Sequence, residues 1–180
     1  MIVFTLDALA DDSHRRHLID APEDNCITCC RTLRYEKENT ICTSCKIDTW
    51  NWKQDFPAYY EACDGDAPIK SVIEIINYLF RKKLHECKDH IPIEIWSNTY
   101  DSVRQKTEVW MYQNGIPLIK LKMRPIGEDR PQEELFEHWR HQFILSDPGK
   151  NIDMVFSSHE PTIAMFRARG VFVFDCNQGK

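Results

Sequence analysis

Apolar and polar residues along this chain form periodic runs that predict short strands and longer amphipathic helices. Strands are expected where apolar, β-favouring residues run together or alternate, at 1–6, 91–96, 117–123, 152–156 and 171–174. Helices are expected where apolar residues recur every three to four positions, at 52–63, 68–84, 100–116, 130–144 and 161–170. Because strands and helices alternate from residue 68 onward, we predict an α/β fold with a mostly parallel sheet covered by helices on both faces.

Capping residues and helix breakers set the expected boundaries of these elements. Pro68 is acceptable in the first turn of the helix over 68–84. Asp101 or Ser102 is predicted to cap the helix over 100–116, and Gly115 to end it. The polar run 11–20 is predicted to be irregular.

The length and charge of the chain are those of a globular protein. The 180 residues are 42% hydrophobic and 28% charged, which fits one domain over 1–180 with a small unit inserted at 22–48. The net charge of −5 argues against a protein that coats nucleic acid through bulk electrostatics, so any contact with DNA is expected to be local. The first residues do not resemble a signal peptide, and no run of about 18 apolar residues occurs. We therefore expect a cytoplasmic protein without membrane contact.

Five of the eight cysteines lie close together, and their spacing predicts a zinc site. Cys26-x-x-Cys29 and Cys42-x-x-Cys45 are two knuckles of the kind that surround one tetrahedral Zn²⁺ with four thiolates. Cys30 could replace Cys29 as a ligand, and a cluster of reduced or redox-active thiols is the alternative to zinc. Because sulfur would fill all four positions, the ion is expected to be structural and to supply the folding energy of the inserted unit.

Basic side chains and one tyrosine accompany these cysteines. They are Arg31, Arg34, Tyr35, Lys37 and Lys46. This combination suits a surface that touches a nucleic-acid backbone or a protein partner. A solvated ribbon face without a partner is the alternative.

The order of the segments resembles that of a known enzyme family. An apolar first strand and an acidic loop are followed by ADDSHRRHLI, WKQDFPAYYEAC and APIKSVIEII, and then by IWSNTYDSVRQKTEVWMYQNGI, LKMRP and IAMFRARGV. In this order and spacing the segments are similar to the 3′-phosphatase domain of the T4-type polynucleotide kinase–phosphatases, which belong to the haloacid dehalogenase (HAD) superfamily. The resemblance covers nearly the whole chain outside the cysteine unit, and it implies a HAD-like, Rossmann-type fold in three layers.

The resemblance implies that the first catalytic motif is incomplete. The family ends its first strand with Asp-x-Asp-Gly-Thr, in which the first Asp is the nucleophile and the second is the general acid/base. Here Thr5 stands at the nucleophile position, Asp7 matches the acid/base, and the loop is one residue short. A threonine hydroxyl does not easily replace a carboxylate that attacks phosphorus and binds Mg²⁺. The second motif, a Ser or Thr followed by Gly-Arg, corresponds to Ser97-Asn98-Thr99, which keeps the hydroxyl and lacks the arginine.

The two remaining motifs have lost their charged residues. The family's lysine, which balances phosphate charge, falls near Phe136, and only Arg130 or Arg140, on other helical turns, could replace it. The Asp-Asp pair that holds Mg²⁺ corresponds to Ser157-Ser158. Because hard cations need charged oxygen ligands, the resemblance implies a pocket that does not hold magnesium and a protein without phosphatase activity.

A relic of a phosphatase with an added zinc unit is expected to act by binding. The resemblance to a T4-type enzyme implies a phage origin, and T4-like phages encode a protein of about this size that blocks host transcription by acting on RNA polymerase. We therefore expect a pseudoenzyme whose zinc unit binds host RNA polymerase. Either its remnant cleft, with Asp7, Ser97, Arg124 and the serine pair, or the adjoining aromatic face is expected to contact DNA or RNA. Two alternatives stay open, namely a residual metal-dependent polynucleotide phosphatase using Asp7 and a phage–host adaptor that binds a nucleotide in the old pocket.

Overall fold

The computed structural model describes two compact units, one comprising Met1–Asp12 with Cys63–Lys180 and the other Ser13–Ala62. The described residues are 1–18, 34–36, 39–41, 56–86, 92–146 and 149–177. The strands are β1 (Ile2–Thr5), β2 (Ala10–Asp11), β3 (Arg34–Glu36), β4 (Asn39–Ile41), β5 (Ala67–Pro68), β6 (Ile93–Tyr100), β7 (Lys120–Arg124), β8 (Met154–Ser157) and β9 (Phe172–Asp175). The helices are α1 (Leu6–Leu9), α2 (Phe56–Glu61), α3 (Lys70–Glu86), α4 (Arg104–Gln113), α5 (Gln132–Ser146) and α6 (Glu160–Ala168). Among the described residues no helix is both long enough and apolar enough to span a membrane.

Five strands form a parallel sheet in the first unit, which we call the sheet unit. The strand order is β7-β6-β1-β8-β9, and every neighbouring pair is parallel. All four residues of β1 are buried, because a central parallel strand is covered on both faces. Helices α4, α5 and α6 connect the successive strands from β6 to β9. The predicted α/β class, with a mostly parallel sheet flanked by helices, is confirmed.

An aromatic cluster holds α5 and α6 on one face of the sheet. The ring of Trp96 on β6 meets Phe136 at 5.7 Å and Trp139 at 5.5 Å between centroids, both in edge-on geometry. Phe166 of α6 lies 6.3 Å from Trp96, and all four rings are buried. Because each helix begins shortly after a parallel strand ends, this packing keeps the N-termini of α5 and α6 at the carboxyl end of the sheet.

Three predictions of local structure were wrong. Pro68 is not in the first turn of α3 but pairs with Ala10 in a two-stranded antiparallel sheet of β2 and β5. A short edge strand tolerates a residue without an N–H. Neither Asp101 nor Ser102 caps α4. These residues form a 3-10 turn, and Asp101 Oδ1 accepts a hydrogen bond of 2.7 Å from Arg104 Nε. The run predicted as irregular contains a 3-10 helix over Ser13–Leu18.

The second unit contains that 3-10 helix, α2 and a hairpin of β3 and β4. The buried Arg15 joins the first two, since its Nη1 donates to the carbonyl oxygen of Tyr59 at 2.6 Å and its guanidinium lies 4.1 Å from the centre of the Tyr59 ring. The hairpin is antiparallel, with Tyr35 opposite Thr40. Of the predicted inserted unit at 22–48, these two strands are the part that the structure describes.

Candidate functional site

The candidate site lies at the carboxyl ends of two neighbouring parallel strands in the sheet unit. Thr5 is the last residue of β1 and Ser157 is the last residue of β8, and both are fully buried. Open α/β sheets bind their ligands at this end of the strands, near the N-termini of the following helices. The first and last motifs of the family resemblance are therefore brought together in space.

Asp7 is held by neutral donors on both of its carboxylate oxygens. Oδ1 is hydrogen-bonded to the hydroxyl of Thr5, which also lies 3.1 Å from the carbonyl oxygen of Phe156. Oδ2 accepts a hydrogen bond of 3.1 Å from Nε2 of Gln132 on α5. A general acid must instead direct one oxygen toward the leaving group. The carboxylate thus acts as the centre of an internal hydrogen-bond network.

The network continues from α5 to α6. Gln132 Nε2 also donates to Thr162 Oγ1 at 3.2 Å, and Thr162 Oγ1 lies 2.9 Å from His159 Nδ1. Because Thr162 accepts from Gln132, its own proton can be donated to a neutral His159 Nδ1. Side chains from the first turns of both helices are therefore bound to one another and to Asp7. We call Thr5, Asp7, Gln132, His159 and Thr162 the Asp7 network.

The serine pair at the family's metal-binding position supports local backbone structure. Ser158 Oγ donates to the main-chain oxygen of Asp7 at 2.7 Å, so it joins β8 to the turn after β1. Ser157 Oγ accepts a hydrogen bond of 3.2 Å from the amide of His159 at the start of α6. Hydroxyls can do this, whereas an ionised carboxylate at the fully buried position 157 would carry a large desolvation cost.

The donor set of this pocket does not fit Mg²⁺. Asp7 is the one carboxylate at the family's metal-ligand positions, where the other positions hold Thr5 and the serine pair. In the described part of the chain, no group of three or more His, Cys, Asp or Glu side chains is arranged to hold a metal ion.

Two other positions that the family resemblance assigns to catalytic motifs lie inside the protein. Ser97 on β6 is fully buried, and its Oγ accepts a hydrogen bond of 3.0 Å from the amide of Thr99. The pairing of β6 with β7 becomes irregular just beyond it, between Ser97 and Tyr100. Phe136 is fully buried in the aromatic cluster, whereas Gln132, one turn earlier on α5, contacts Asp7.

Arg124, predicted to contact nucleic acid or a partner, is buried and uses all three guanidinium nitrogens internally. Nε donates to the main-chain and side-chain oxygens of Asn98 at 3.0 Å, and Nη2 also contacts that side chain. Nη1 donates to the carbonyl oxygens of Glu128 and Arg130, each at 2.7 Å. These bonds fold the loop after β7 around the guanidinium, which supports an architectural role.

The two arginines considered as replacements for the family's lysine are paired with carboxylates. Hydrogen bonds from Arg130 lower the pKa of Glu128 to about 2. Arg140 Nε donates to Glu137 at 2.6 Å, and this bond, as the main cause, lowers the pKa of that carboxyl. Glu137 also contacts Arg169 at 3.0 Å. Both arginines therefore serve local ion pairs on the protein.

The predicted zinc and partner-binding residues of the second unit fall on or beside undescribed segments. The predicted ligands Cys26, Cys29, Cys42 and Cys45 lie outside the described residues, as do Arg31, Lys37 and Lys46. Arg34 and Tyr35 belong to β3, for which the backbone is described. The zinc site and this basic surface stay predictions.

Cys176 lies beside the Asp7 network, and nothing in its local sequence marks it as a site residue. Its amide donates to the carbonyl oxygen of Ser157 at 2.8 Å. Burial, followed by the charges of Asp7 and Asp175, raises the pKa of its thiol to about 11. The sequence around Cys176 does not predict this environment, because it depends on an aspartate near the beginning of the chain, whereas Cys176 lies four positions from the end.

This environment predicts a slow and Asp7-dependent alkylation of Cys176. At pH 8 the thiolate fraction should be about 100-fold below that of an ordinary thiol, so iodoacetamide should label Cys176 far more slowly than in urea-unfolded protein. Asp7→Asn removes one negative charge and should accelerate labelling, as measured by peptide mass spectrometry. An unchanged rate in that variant would contradict the proximity of Cys176 to Asp7.

The raised pKa of Cys176 also predicts a pH dependence of stability. Since the folded thiol keeps its proton to higher pH than the unfolded one, the free energy of unfolding should fall as pH rises from about 9 toward 11.

Two solved structures are similar to this chain in fold. A chain in the structure of the Pnkp1/Rnl/Hen1 RNA repair complex matches with a TM-score of 0.60 and 13% identity, over 97% of this chain and 41% of its own length. A chain in a further Pnkp1/Rnl/Hen1 structure matches with a TM-score of 0.57 and 13% identity, over 97% of this chain and 44% of its own. This chain thus spans less than half the length of those proteins, and the likeness at this identity shows the fold alone. No protein-family model and no curated protein matches the sequence.

Proposed function

We propose that this chain is a catalytically inactive, HAD-like relative of polynucleotide 3′-phosphatases that acts by binding. The observation that carries the proposal is the state of Asp7, whose two carboxylate oxygens are hydrogen-bonded to Thr5 and Gln132. The nucleophile position holds that threonine, and the serine pair bonds to backbone where the family places metal ligands. The residues that the family uses to attack phosphorus, to balance phosphate charge and to bind the metal ion are each replaced. Loss of any one of these functions severely reduces catalysis.

The fold supports descent of this protein from an enzyme that acted on nucleic acid. The two similar structures are of an RNA repair complex, and a polynucleotide kinase–phosphatase domain accounts for both that likeness and the order of the sequence motifs. A former substrate site for nucleic-acid ends is a natural starting point for a protein that contacts DNA or RNA without processing it.

The target that we propose is host RNA polymerase, with the effect of shutting off or terminating host transcription. In this role the chain is similar to Alc, the transcription terminator of T4-like phages. The predicted zinc unit, with its basic residues, would bind the polymerase, and the antiparallel hairpin of β3 and β4 between the two cysteine pairs fits a zinc ribbon. The net charge of −5 fits a protein that reaches DNA through the polymerase rather than alone.

An affinity capture experiment tests this proposal. Tagged, zinc-loaded protein is incubated with bacterial lysate with and without nuclease, and the bound proteins are quantified by mass spectrometry. We expect RNA polymerase subunits in stoichiometric amounts that survive nuclease treatment. Their absence, or their loss with nuclease, would overturn direct binding to the polymerase.

A phosphate-release assay with a 3′-phosphorylated oligonucleotide and Mg²⁺ tests the claim of inactivity. We expect no release above background for the wild-type protein and for Asp7→Ala. Release that disappears in Asp7→Ala would establish the residual phosphatase instead. The isosteric Asp7→Asn keeps the size of the side chain and serves as the folding control for that comparison.

A further inference from the structure

Three phenylalanine rings form a stacked column across β1, β8 and β9 on one face of the sheet. Phe4, Phe156 and Phe174 are register partners on neighbouring strands. Their ring centroids are 4.3 Å and 4.6 Å apart, and the interplanar angles are 4° and 9°. Phe4 and Phe156 are buried, whereas Phe174 is 42% exposed. The column therefore runs from the core to the rim of the sheet unit.

The column ends on an edge strand. β9 is the last strand in the sheet order, so within the described part of the chain no further strand continues the stack beyond Phe174. Phe172, on the same face of β9, is 60% exposed, and its ring centroid lies 5.0 Å from that of Phe174 at an interplanar angle of 75°. Two adjacent aromatic side chains are thus presented at the rim, where a flat group could extend the stack.

The position of Arg167 indicates which kind of partner could bind at this edge. Its Nη2 lies 3.4 Å from the carbonyl oxygen of Val173, one of the outward-facing backbone groups of β9 that an added strand would need. Its occupation disfavours a partner that docks as an extra β-strand. The same guanidinium places a positive charge at the outer edge of β9, beside the main chain of Val173, which lies between the two phenylalanines in sequence. This charge complements a phosphate. An aromatic surface with a neighbouring cation matches single-stranded nucleic acid.

We propose that Phe174 and Phe172 are a base-stacking platform for single-stranded DNA or RNA, with Arg167 contacting the backbone phosphate. This inference rests on the proposed role in nucleic-acid contact and gives it a location. The turn after β9 approaches the Asp7 network, because Asn177 Nδ2 donates to the carbonyl oxygen of Ser158, whose hydroxyl in turn donates to the main-chain oxygen of Asp7. A strand whose bases stack at the rim can therefore approach the former substrate site.

The test uses the whole 180-residue chain loaded with zinc and a fluorescent oligothymidine of about ten nucleotides, a length in the range that single-strand binding sites cover. Phe174→Leu keeps an apolar side chain against Phe156 and removes the aromatic ring. We expect its affinity, measured by fluorescence anisotropy, to be about tenfold weaker than wild type. Tyr112→Ala is the matched control, since Tyr112 is a highly exposed aromatic on α4, outside the platform, and its loss should change nothing.

Two further measurements distinguish base stacking from electrostatic binding to phosphates and from the proposed polymerase binding. An abasic oligonucleotide of equal length should bind weakly and equally to wild type and Phe174→Leu, and Arg167→Ala should reduce the salt dependence of oligothymidine binding. Equal oligothymidine affinity of wild type and Phe174→Leu would overturn the platform even where polymerase capture succeeds. Polymerase capture that falls with Phe174→Leu, without any oligonucleotide binding by wild type, would instead assign the rings to a protein partner. Capture that fails while the ring-dependent binding persists would overturn the polymerase proposal and leave the platform standing.

Discussion

Phe136→Lys is expected to unfold the sheet unit, whereas Gln132→Lys, one turn earlier on the same helix, should leave it folded. The family resemblance places its phosphate-balancing lysine near Phe136, so a simple reversion would put lysine there. Phe136, however, is fully buried against the rings of both Trp96 and Trp139. Loss of a core phenylalanine costs about 3–5 kcal/mol, and an ammonium group in its place adds a further desolvation penalty. A domain with about 5–15 kcal/mol of stability does not tolerate both.

Gln132→Lys has a different environment. Gln132 is half-buried, and its Nε2 already donates to Asp7 Oδ2 at 3.1 Å. A lysine ammonium can take over this contact as an ion pair, so we expect the free energy of unfolding to stay within about 1 kcal/mol of wild type. Thermal unfolding followed by circular dichroism measures both variants, and Phe136→Leu is the control for simple loss of the ring. A Phe136→Lys protein that melts near the wild-type temperature would show that this position faces the pocket.

The sheet and its helices could be predicted because their signals are local. β1 is a run of four buried apolar and β-favouring residues, and the helix over 132–146 carries its buried Leu135, Phe136 and Trp139 at helical spacing. Gly115 ends α4 because it adopts a φ of +72°, a conformation that glycine accepts readily. Such patterns are set by neighbours in sequence, and the structure follows them.

The Asp7 network could not be predicted in the same way, because its contacts join distant parts of the chain. Asp7 and Thr5 are two residues apart, but Gln132 is 125 residues from Asp7 and Ser158 is 151 residues from it. A glutamine in the first turn of a helix is indistinguishable in sequence from a solvated surface residue. Helix N-termini converge at the carboxyl end of a parallel sheet. This rule points to polar residues in the first turns of α5 and α6, such as Gln132 and Thr162, as candidates for contact with Asp7.

Removal of zinc is expected to abolish both the structure of the predicted inserted unit and capture of RNA polymerase. The two cysteine pairs would bind one ion per chain, and structural zinc in such small units contributes about 10–16 kcal/mol of binding energy near pH 7. Cys42→Ser combined with Cys45→Ser should therefore eliminate bound zinc, as measured by atomic absorption, and expose residues 22–48 to proteolysis. The aromatic core of the sheet unit contains none of these cysteines. Hydrogen-exchange protection of β1 and β8 should consequently persist.

Cysteine variants outside the motif separate loss of zinc from loss of any thiol. Cys176→Ser should retain one zinc ion and polymerase capture, because Cys176 lies in the sheet unit beside the Asp7 network. Cys29→Ser should lose the ion and Cys30→Ser should keep it, and the reverse result would move the second ligand to Cys30. If the double variant of Cys42 and Cys45 still binds one zinc ion, the four-thiolate site is wrong. If it loses zinc and still captures polymerase, the ion is structural as proposed but the polymerase binds another surface, and the sheet unit becomes the place to search.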